Sequence, residues 1–273
     1  MGTMMQTRRM VTDVDQHPVA WREAGEGDVI VFLHGLGGSR LSWQPQLEAL
    51  ASSWRCAAWD MPGYGNSAPL ERTTFAALAD AAAAWIGVLG GRAHVVAISF
   101  GGMIAQYLAA SHPEVVRSLT LLATSPKFGL DGTRPDDWRA ARLAPLDQGL
   151  QPAEFSGRVL RGLAGPHLDD EAFAGQQAAM ARVPAAGLRA AIDCLITHDS
   201  RALLATVTAP TLVIVGELDR ETPLDYAMAL ADGVPGARLA PIADAGHLLN
   251  VEAPHTVNLL IREHVGAAAE EDR

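Results

Sequence analysis

Along the chain, short apolar runs alternate with longer stretches in which apolar positions recur every three or four residues. The short runs are VIVFLHG from Val29, RCAAWD from Arg55, HVVAIS from His94, SLTLLAT from Ser118, TLVIVGE from Thr211 and RLAPIA from Arg238. Nearly continuous apolar runs of this length predict strands buried on both faces of a parallel sheet. The longer patterns predict helices over Trp43–Ala51, Thr74–Leu89, Phe100–Ser111, Pro223–Ala231 and Pro254–His264. Two of them begin with proline, which suits a first helical turn. The N-terminal RRMVTDVDQHPVAWREAG reads as an antiparallel hairpin leading into the sheet. The alternation predicts an α/β fold with a mostly parallel central sheet flanked by helices.

The rhythm breaks between about Lys127 and Ser200, where helical patterns are punctuated by GTRPDD, LAGPH and RVPAAG and no strand is evident. The segment is too long for an ordinary loop. It reads as a helical insertion after the sixth strand. The chain then divides into a first core part (1–126), the insertion (127–200) and a second core part (201–273).

A chain of 273 residues suits one large domain, or a domain with an inserted subdomain. Hydrophobic residues make up 49% and charged residues 19%, which is ordinary globular composition. No apolar run reaches the eighteen or so residues of a membrane span. The basic start MGTMMQTRRM is followed by no apolar block, so a secretory signal is not expected. Cys56 and Cys194 lie far apart in apolar surroundings, which suggests buried thiols and a cytoplasmic location. The formal net charge is −10, Lys127 is the only lysine, and the arginines are scattered. Without a basic stripe, nucleic acid and anionic membrane are poor partners, and the acidity serves solubility. The tail GAAAEEDR is expected to fray.

In open parallel sheets, ligands bind beyond the carboxyl ends of the strands, so the residues just after each strand are the informative ones. Ser99 follows one strand, in AISFG, with small residues at Ala97 and Gly101. This is the nucleophile-elbow pattern with alanine in the first glycine's place. The competing reading is a helix N-cap serine. A serine hydroxyl needs a base to take its proton. Of nine histidines, His247 in ADAGHLLNVEAP follows the last strand in a glycine-containing loop. His34, in HGLGG, suggests a different role. His94, His112, His255 and His264 are expected at the surface or capping elements, and His167 and His198 are expected to be solvated. Asp219, in VIVGELDRETP, is the first candidate for an acid to orient the imidazole, ahead of Glu217 and Glu221. Capping of the helix at Pro223 is its alternative role. The order Ser…Asp…His is that of an α/β-hydrolase arrangement. Donors for a developing oxyanion would be the backbone amides of Phe100, at a helix start, and of Leu36, in HGLGG. Those glycines do not suit a nucleotide loop, since Arg40 stands where G-x-G-x-x-G needs its last glycine and there is no Walker lysine. No close cluster of His, Asp or Glu suggests a metal, and no cofactor is expected.

HGLGG, WDMPGYGNS, AISFGG, VIVGELDRETP and AGHLLNVEAP, in order and at strand ends, make the sequence similar to the α/β-hydrolase superfamily over essentially its whole length. The resemblance implies Ser99 as nucleophile, His247 as base, Asp219 as acid, the Leu36 and Phe100 amides as oxyanion hole, and the insertion as the cap. It implies a structural role for Asp60, beside the elbow. Within the superfamily, SFGGMIAQYLAASHPEVVRSLTLLATSPKFG with Trp138 and Arg142, and RVPAAGLRAAIDCLITHDSRALLATVTAP, resemble 3-oxoadipate enol-lactonases and related carboxylic-ester hydrolases. Leu188 departs from the aromatic common there. Serine at 99 departs from dehalogenases and epoxide hydrolases of this fold, and Leu248 departs from the tryptophan usual in meta-cleavage C–C hydrolases. The expected activity is hydrolysis of a small-molecule ester or lactone. C–C bond hydrolysis, cofactor-free perhydrolysis and a non-catalytic receptor are the alternatives. The expected pocket wall comprises His34, Phe128, Trp138, Phe155, Leu188 and Leu248. Lys127, Arg134 and Arg139 are candidates to meet a substrate carboxylate, or else solvated charges.

Overall fold

The structure is a computed structural model that describes residues 7–14 and 17–271. The basic start read above as lacking a signal, the turn of the predicted hairpin and the last two residues of the tail lie outside, or partly outside, these residues. In chain order the elements are β1 (Arg8–Val14), β2 (His17–Ala24), β3 (Val29–Leu33), α1 (Gln44–Leu50), β4 (Arg55–Trp59), α2 (Phe75–Leu89), β5 (Ala93–Ile98) and α3 (Phe100–Ser111). β6 (Val116–Leu122) follows, then α4 (Pro135–Asp147), α5 (Pro152–Leu163), α6 (Asp170–Met180), α7 (Ala185–Leu195) and α8 (Arg201–Leu204). The chain closes with β7 (Thr211–Gly216), α9 (Leu224–Gly233), β8 (Arg238–Ile242), α10 (Leu249–Glu252) and α11 (Pro254–Glu271). The eight strands form one sheet in the order β1-β2-β4-β3-β5-β6-β7-β8. The first two are antiparallel to their neighbours and the rest run parallel.

Alternation along each strand feeds two apolar layers. On β3, Val29, Val31 and Leu33 join the layer under α2 and α3, while Ile30 and Phe32 join the layer under α1 and α11. Trp43, Trp59, Trp85 and Phe100 are fully enclosed, each worth about 2–3 kcal/mol in removed apolar surface. Both cysteines are free and buried, with burial pushing each thiol up to about 12. Among the described residues, no helix is long and apolar enough to cross a membrane.

The insertion between β6 and β7 is built from α4 to α7. Its ends are pinned together: Lys127 and Asp199 form a bridge, the Phe128 N–H donates to the His198 carbonyl (2.9 Å), and the Ser200 N–H donates to the Pro126 carbonyl (2.9 Å).

Several expectations are corrected here. The tail does not fray where predicted: α11 continues to Glu271, because alanine and glutamate favour helix and Val265 and Ala268 are buried. His94, His264 and His198 are buried instead of superficial. His94 Nδ1 shares a hydrogen bond with Ser118 Oγ (2.8 Å), His264 Nε2 lies 3.2 Å from the Leu119 and Pro210 carbonyls, and His198 Nε2–H donates to the Ser125 carbonyl (2.8 Å). Polar partners on neighbouring elements make these sites habitable, and a single sequence does not display them. His112 lies partly exposed against Asp80, and His167 and His255 are exposed.

Burial drives the His198 imidazole down to about 4, from 6.5. The unfolded chain therefore binds a proton near pH 6.5 that the folded chain refuses until about pH 4. Stability should be lost as pH falls through that window, by on the order of 3 kcal/mol from this residue. Urea unfolding from pH 7 to 4 checks this: His198→Gln, which keeps a donor for Ser125 but cannot titrate, should show a shallower loss than wild type.

Candidate active site

Ser99 stands where β5 turns into α3, with φ 52° and ψ −119°. A non-glycine residue in this region costs about 1–3 kcal/mol and persists only where its surroundings enforce it. Here the Ser99 N–H donates to the Leu122 carbonyl (2.9 Å), and the Ser99 carbonyl accepts from Thr124 Oγ1 (2.8 Å) and the Met103 N–H (3.0 Å). The turn also needs a glycine at 101, since a Cβ there would lie 2.3 Å from the Leu33 carbonyl oxygen. The hydroxyl makes no capping hydrogen bond to α3, so the capping alternative falls away.

Instead the hydroxyl meets His247, in the loop after β8: Ser99 Oγ lies 3.0 Å from Nε2. The other ring nitrogen, Nδ1, lies 2.8 Å from Oδ2 of Asp219, in the loop after β7. A neutral imidazole here donates from Nδ1 to the carboxylate and accepts the serine proton at Nε2. Asp219 is held by more than its histidine. Its Oδ1 accepts from the Glu221 and Thr222 amides (2.8 and 3.0 Å), and its Oδ2 accepts from Thr222 Oγ1 (2.8 Å). Asp219 does not cap α9, whose first flanking residue is Pro223. Of its rivals, Glu217 is exposed, and Glu221 takes Arg142 Nη2 at 2.6 Å. Thr222, which donates to Asp219 from both its amide and its hydroxyl, is a contact that the reading of the sequence missed; the D-x-x-T spacing in LDRET, typical of a side chain closing its own turn, was the available signal.

The electrostatics follow from this enclosure. Burial pulls the His247 imidazole down, but the Asp219 charge and hydrogen bond, helped by Glu221, outweigh it and leave the ring above its ordinary 6.5. Burial would lift the Asp219 carboxyl, yet the His247 charge and hydrogen bond, with the Thr222 donors, hold it below the usual carboxylate range.

The serine opens into a cavity of about 260 Å³ between the sheet and the insertion. Phe128, Trp138 and Leu248, three of the residues named above for the wall, line it, and so does Leu36. The Leu36 loop abuts the serine: a Cβ on Gly35 would sit 3.2 Å from the Ser99 Cβ. Phe100 is the first residue of α3, where helix amides have no intrahelical acceptor.

Three expected contributors do not reach the wall. His34 is fully buried, stacked on Tyr64, its Nδ1–H donating to the Gly35 carbonyl (2.9 Å) and its Nε2 accepting from the Met61 N–H (3.0 Å). Leu188 and Phe155 point into the apolar core; α7 is pressed so hard onto the loop below that a Cβ on Gly187 would lie 2.3 Å from the Gly63 oxygen. Lys127, Arg134 and Arg139 are also absent from the wall, the last two pairing with Asp137 and Asp193. The arginines that line the cavity are Arg142 and Arg220. Arg142 also lies over the Trp138 ring, 4.9 Å from its centre. Asp60 lies outside the cavity, accepting from the Arg40 amide (3.0 Å), Arg40 Nη1 (2.8 Å) and the Asn66 amide (3.2 Å). Among the described residues, no group of three or more His, Cys, Asp or Glu side chains could hold a metal ion.

Comparison with known proteins adds four findings. A family model described as "alpha/beta hydrolase fold" matches residues 28–254. A Mycobacterium tuberculosis protein named "Putative non-heme bromoperoxidase BpoC" is 34% identical over 250 residues, covering 88% of this chain and 94% of that one. A pimeloyl-[acyl-carrier protein] methyl ester esterase of Chromobacterium violaceum is 34% identical over 228 residues, covering 82% and 88%. Among solved structures, a thermophilic esterase from Thermogutta terrifontis superposes with a TM-score of 0.84 at 25% identity, covering 96% of this chain and 99% of that one.

The balance at His247 is open to direct measurement. An NMR pH titration should place its midpoint above 6.5 in the wild type. Asp219→Asn removes the charge that opposes burial, so the midpoint should fall below the wild-type value. A midpoint unchanged by that substitution would show that the carboxylate does not govern the ring.

Proposed function

The chain belongs to the alpha/beta hydrolase fold family, a family of hydrolases, and from that premise we propose that it is a serine hydrolase of small carboxylic esters, lactones included as cyclic esters. The observation that carries the proposal is the chain of hydrogen bonds from Asp219 through His247 to Ser99, at 2.8 and 3.0 Å.

In this reading His247 Nε2 takes the Ser99 proton as Oγ attacks the substrate carbonyl. The oxyanion is met by the Phe100 and Leu36 amides, each such donor being worth about 3 kcal/mol in the transition state. The imidazolium, stabilised by Asp219, gives its proton to the leaving alkoxide as the C–O bond breaks. Water, deprotonated by the same imidazole, then attacks the acyl-enzyme and releases the acid and the serine hydroxyl. Proton and charge return to their starting places, so the cycle needs no cofactor. Thr222 is a positioning residue that keeps the Asp219 carboxylate turned to the ring. The 127–200 segment acts as a cap, its apolar side chains Phe128, Trp138, Leu160 and Leu163 excluding water from the acyl group. The esterase relatives support the ester reading, and the substrate is a small molecule held within the cavity.

A second reading is favoured by the mycobacterial relative, which is named as a non-heme bromoperoxidase. Hydrogen peroxide in place of water would attack the same acyl-enzyme and release a peracid. Both readings run through Ser99 and differ only in the second nucleophile.

Ser99→Ala should lower kcat on p-nitrophenyl esters by about 10⁴-fold or more while leaving the circular dichroism spectrum intact. Retained turnover in that variant would overturn the assignment, and absence of turnover by the wild type across aryl esters and lactones would point to a receptor. In the wild type, kcat/KM should rise with pH, because only the neutral imidazole accepts the serine proton. Its half-maximum should lie above 6.5, because Asp219 outweighs burial at His247. A half-maximum below that value would contradict the electrostatics described above.

A further inference from the structure

One buried carboxylate takes no part in the mechanism just described. Glu252, on α10, is 8% exposed. Its Oε2 accepts the amides of Gly165 (2.8 Å) and Gly246 (2.9 Å), and its Oε1 accepts the amide of Leu248 (3.0 Å). Gly246 and Leu248 are the neighbours of His247 on either side. Gly165 belongs to the insertion, in the loop after α5. The His247 amide itself donates to the carbonyl of Leu163, the last residue of α5 (3.1 Å). Three consecutive amides around the imidazole are thus fixed by one side chain and by one turn of the insertion.

The glycines of both segments fit this contact. A Cβ on Gly165 would lie 2.3 Å from Glu252 Oε2 and 2.6 Å from the Gly246 nitrogen, and a Cβ on Gly246 would lie 2.4 Å from the Gly165 nitrogen. No side chain larger than hydrogen lets the two backbones share the carboxylate. Burying a carboxylate is costly unless donors replace its water, and here three main-chain N–H groups do so.

We propose that Glu252 is a positioning residue for His247, clamping the histidine loop to the cap so that the imidazole is held against Ser99 only while the α5 turn is seated. The inference rests on the proposed serine-hydrolase reading. It makes the cap more than a cover. Leu163 and Leu248, which line the cavity wall, are held by the same set of bonds, so the position of the wall and that of the base are fixed together. Glu252 touches no substrate in this scheme; it acts through the backbone that carries the ring.

The test compares wild type with Glu252→Gln, which keeps the size of the side chain but replaces one acceptor oxygen with a donor amide. The readouts are the second-order rate constant for labelling Ser99 with a fluorophosphonate, kcat and KM on a p-nitrophenyl ester, and the pH of half-maximal kcat/KM, all per folded molecule. Misplacing a base by a fraction of an ångström can cost tenfold or more. The labelling rate and kcat should therefore fall by about tenfold, KM should change less than kcat, and the pH midpoint should stay in place because the partner of the ring, Asp219, is untouched. A fall in labelling and kcat of less than about threefold would make Glu252 merely structural. A loss carried by KM, or a shift of the pH midpoint, would equally overturn the proposal. If Glu252→Gln does not fold, Gly165→Ala, which pushes the cap turn off the carboxylate, is read by the same criteria. Hydrogen exchange on the wild type decides without any variant. The Gly165, Gly246 and Leu248 amides should be protected to a similar degree, and a freely exchanging Gly165 amide would break the clamp. Failure of the underlying reading is distinguishable, because wild-type Ser99 would then not label at all.

Discussion

Everything at this site depends on a backbone held where backbones seldom go. Ser99 sits at φ 52° because three hydrogen bonds and the tight approach of Gly101 to the Leu33 carbonyl allow it nowhere else. The strain is useful. It lifts a hydroxyl off the end of β5 at the point where α3 begins, so that the serine neither joins the sheet nor caps the helix. Relaxed backbone at this residue would turn Oγ away from the imidazole. The sheet supplies the stiffness that makes the strain sustainable, since β5 is central and every one of its residues is buried.

The second partner of the serine is set by a balance of opposing effects. Enclosure of His247 disfavours its charged form, and the enclosed Asp219 favours it. The carboxylate wins because it is itself anchored, by two amides and by the Thr222 hydroxyl. The imidazole is thus made a somewhat stronger base by a partner that is itself enclosed. Glu221 adds to the same field from the loop it shares with Asp219, while its carboxylate reaches across to Arg142 on the insertion at 2.6 Å. Electrostatic tuning and attachment of the insertion therefore meet at one short segment, Asp219 to Thr222.

The fold was legible in the sequence where burial on both faces leaves a continuous apolar run. The six runs from Val29 to Arg238 all form parallel strands within two residues of their expected limits, and α3 spans the expected Phe100–Ser111. The Ser99, Asp219 and His247 positions were legible because each follows a strand end, and the topology gathers strand ends. Chemistry that depends on contacts between distant segments was not legible. His198 looks like a surface histidine until the Ser125 carbonyl and the Phe75 and Tyr107 rings are placed around it. Leu188 looks like a pocket residue until α7 is seen pressed on Gly63. The arginines expected to meet a substrate charge find aspartates of the insertion instead, and Arg142, one helical turn beyond Trp138, takes the cavity wall.

The most direct test of the account is to stop turnover of a slowly deacylated ester with acid in the steady state and map the acyl group by peptide mass spectrometry. The account predicts a single acyl adduct, on Ser99, formed in wild type and missing from Ser99→Ala. Continued turnover with no acyl group on Ser99, or with the group on another residue, would contradict it.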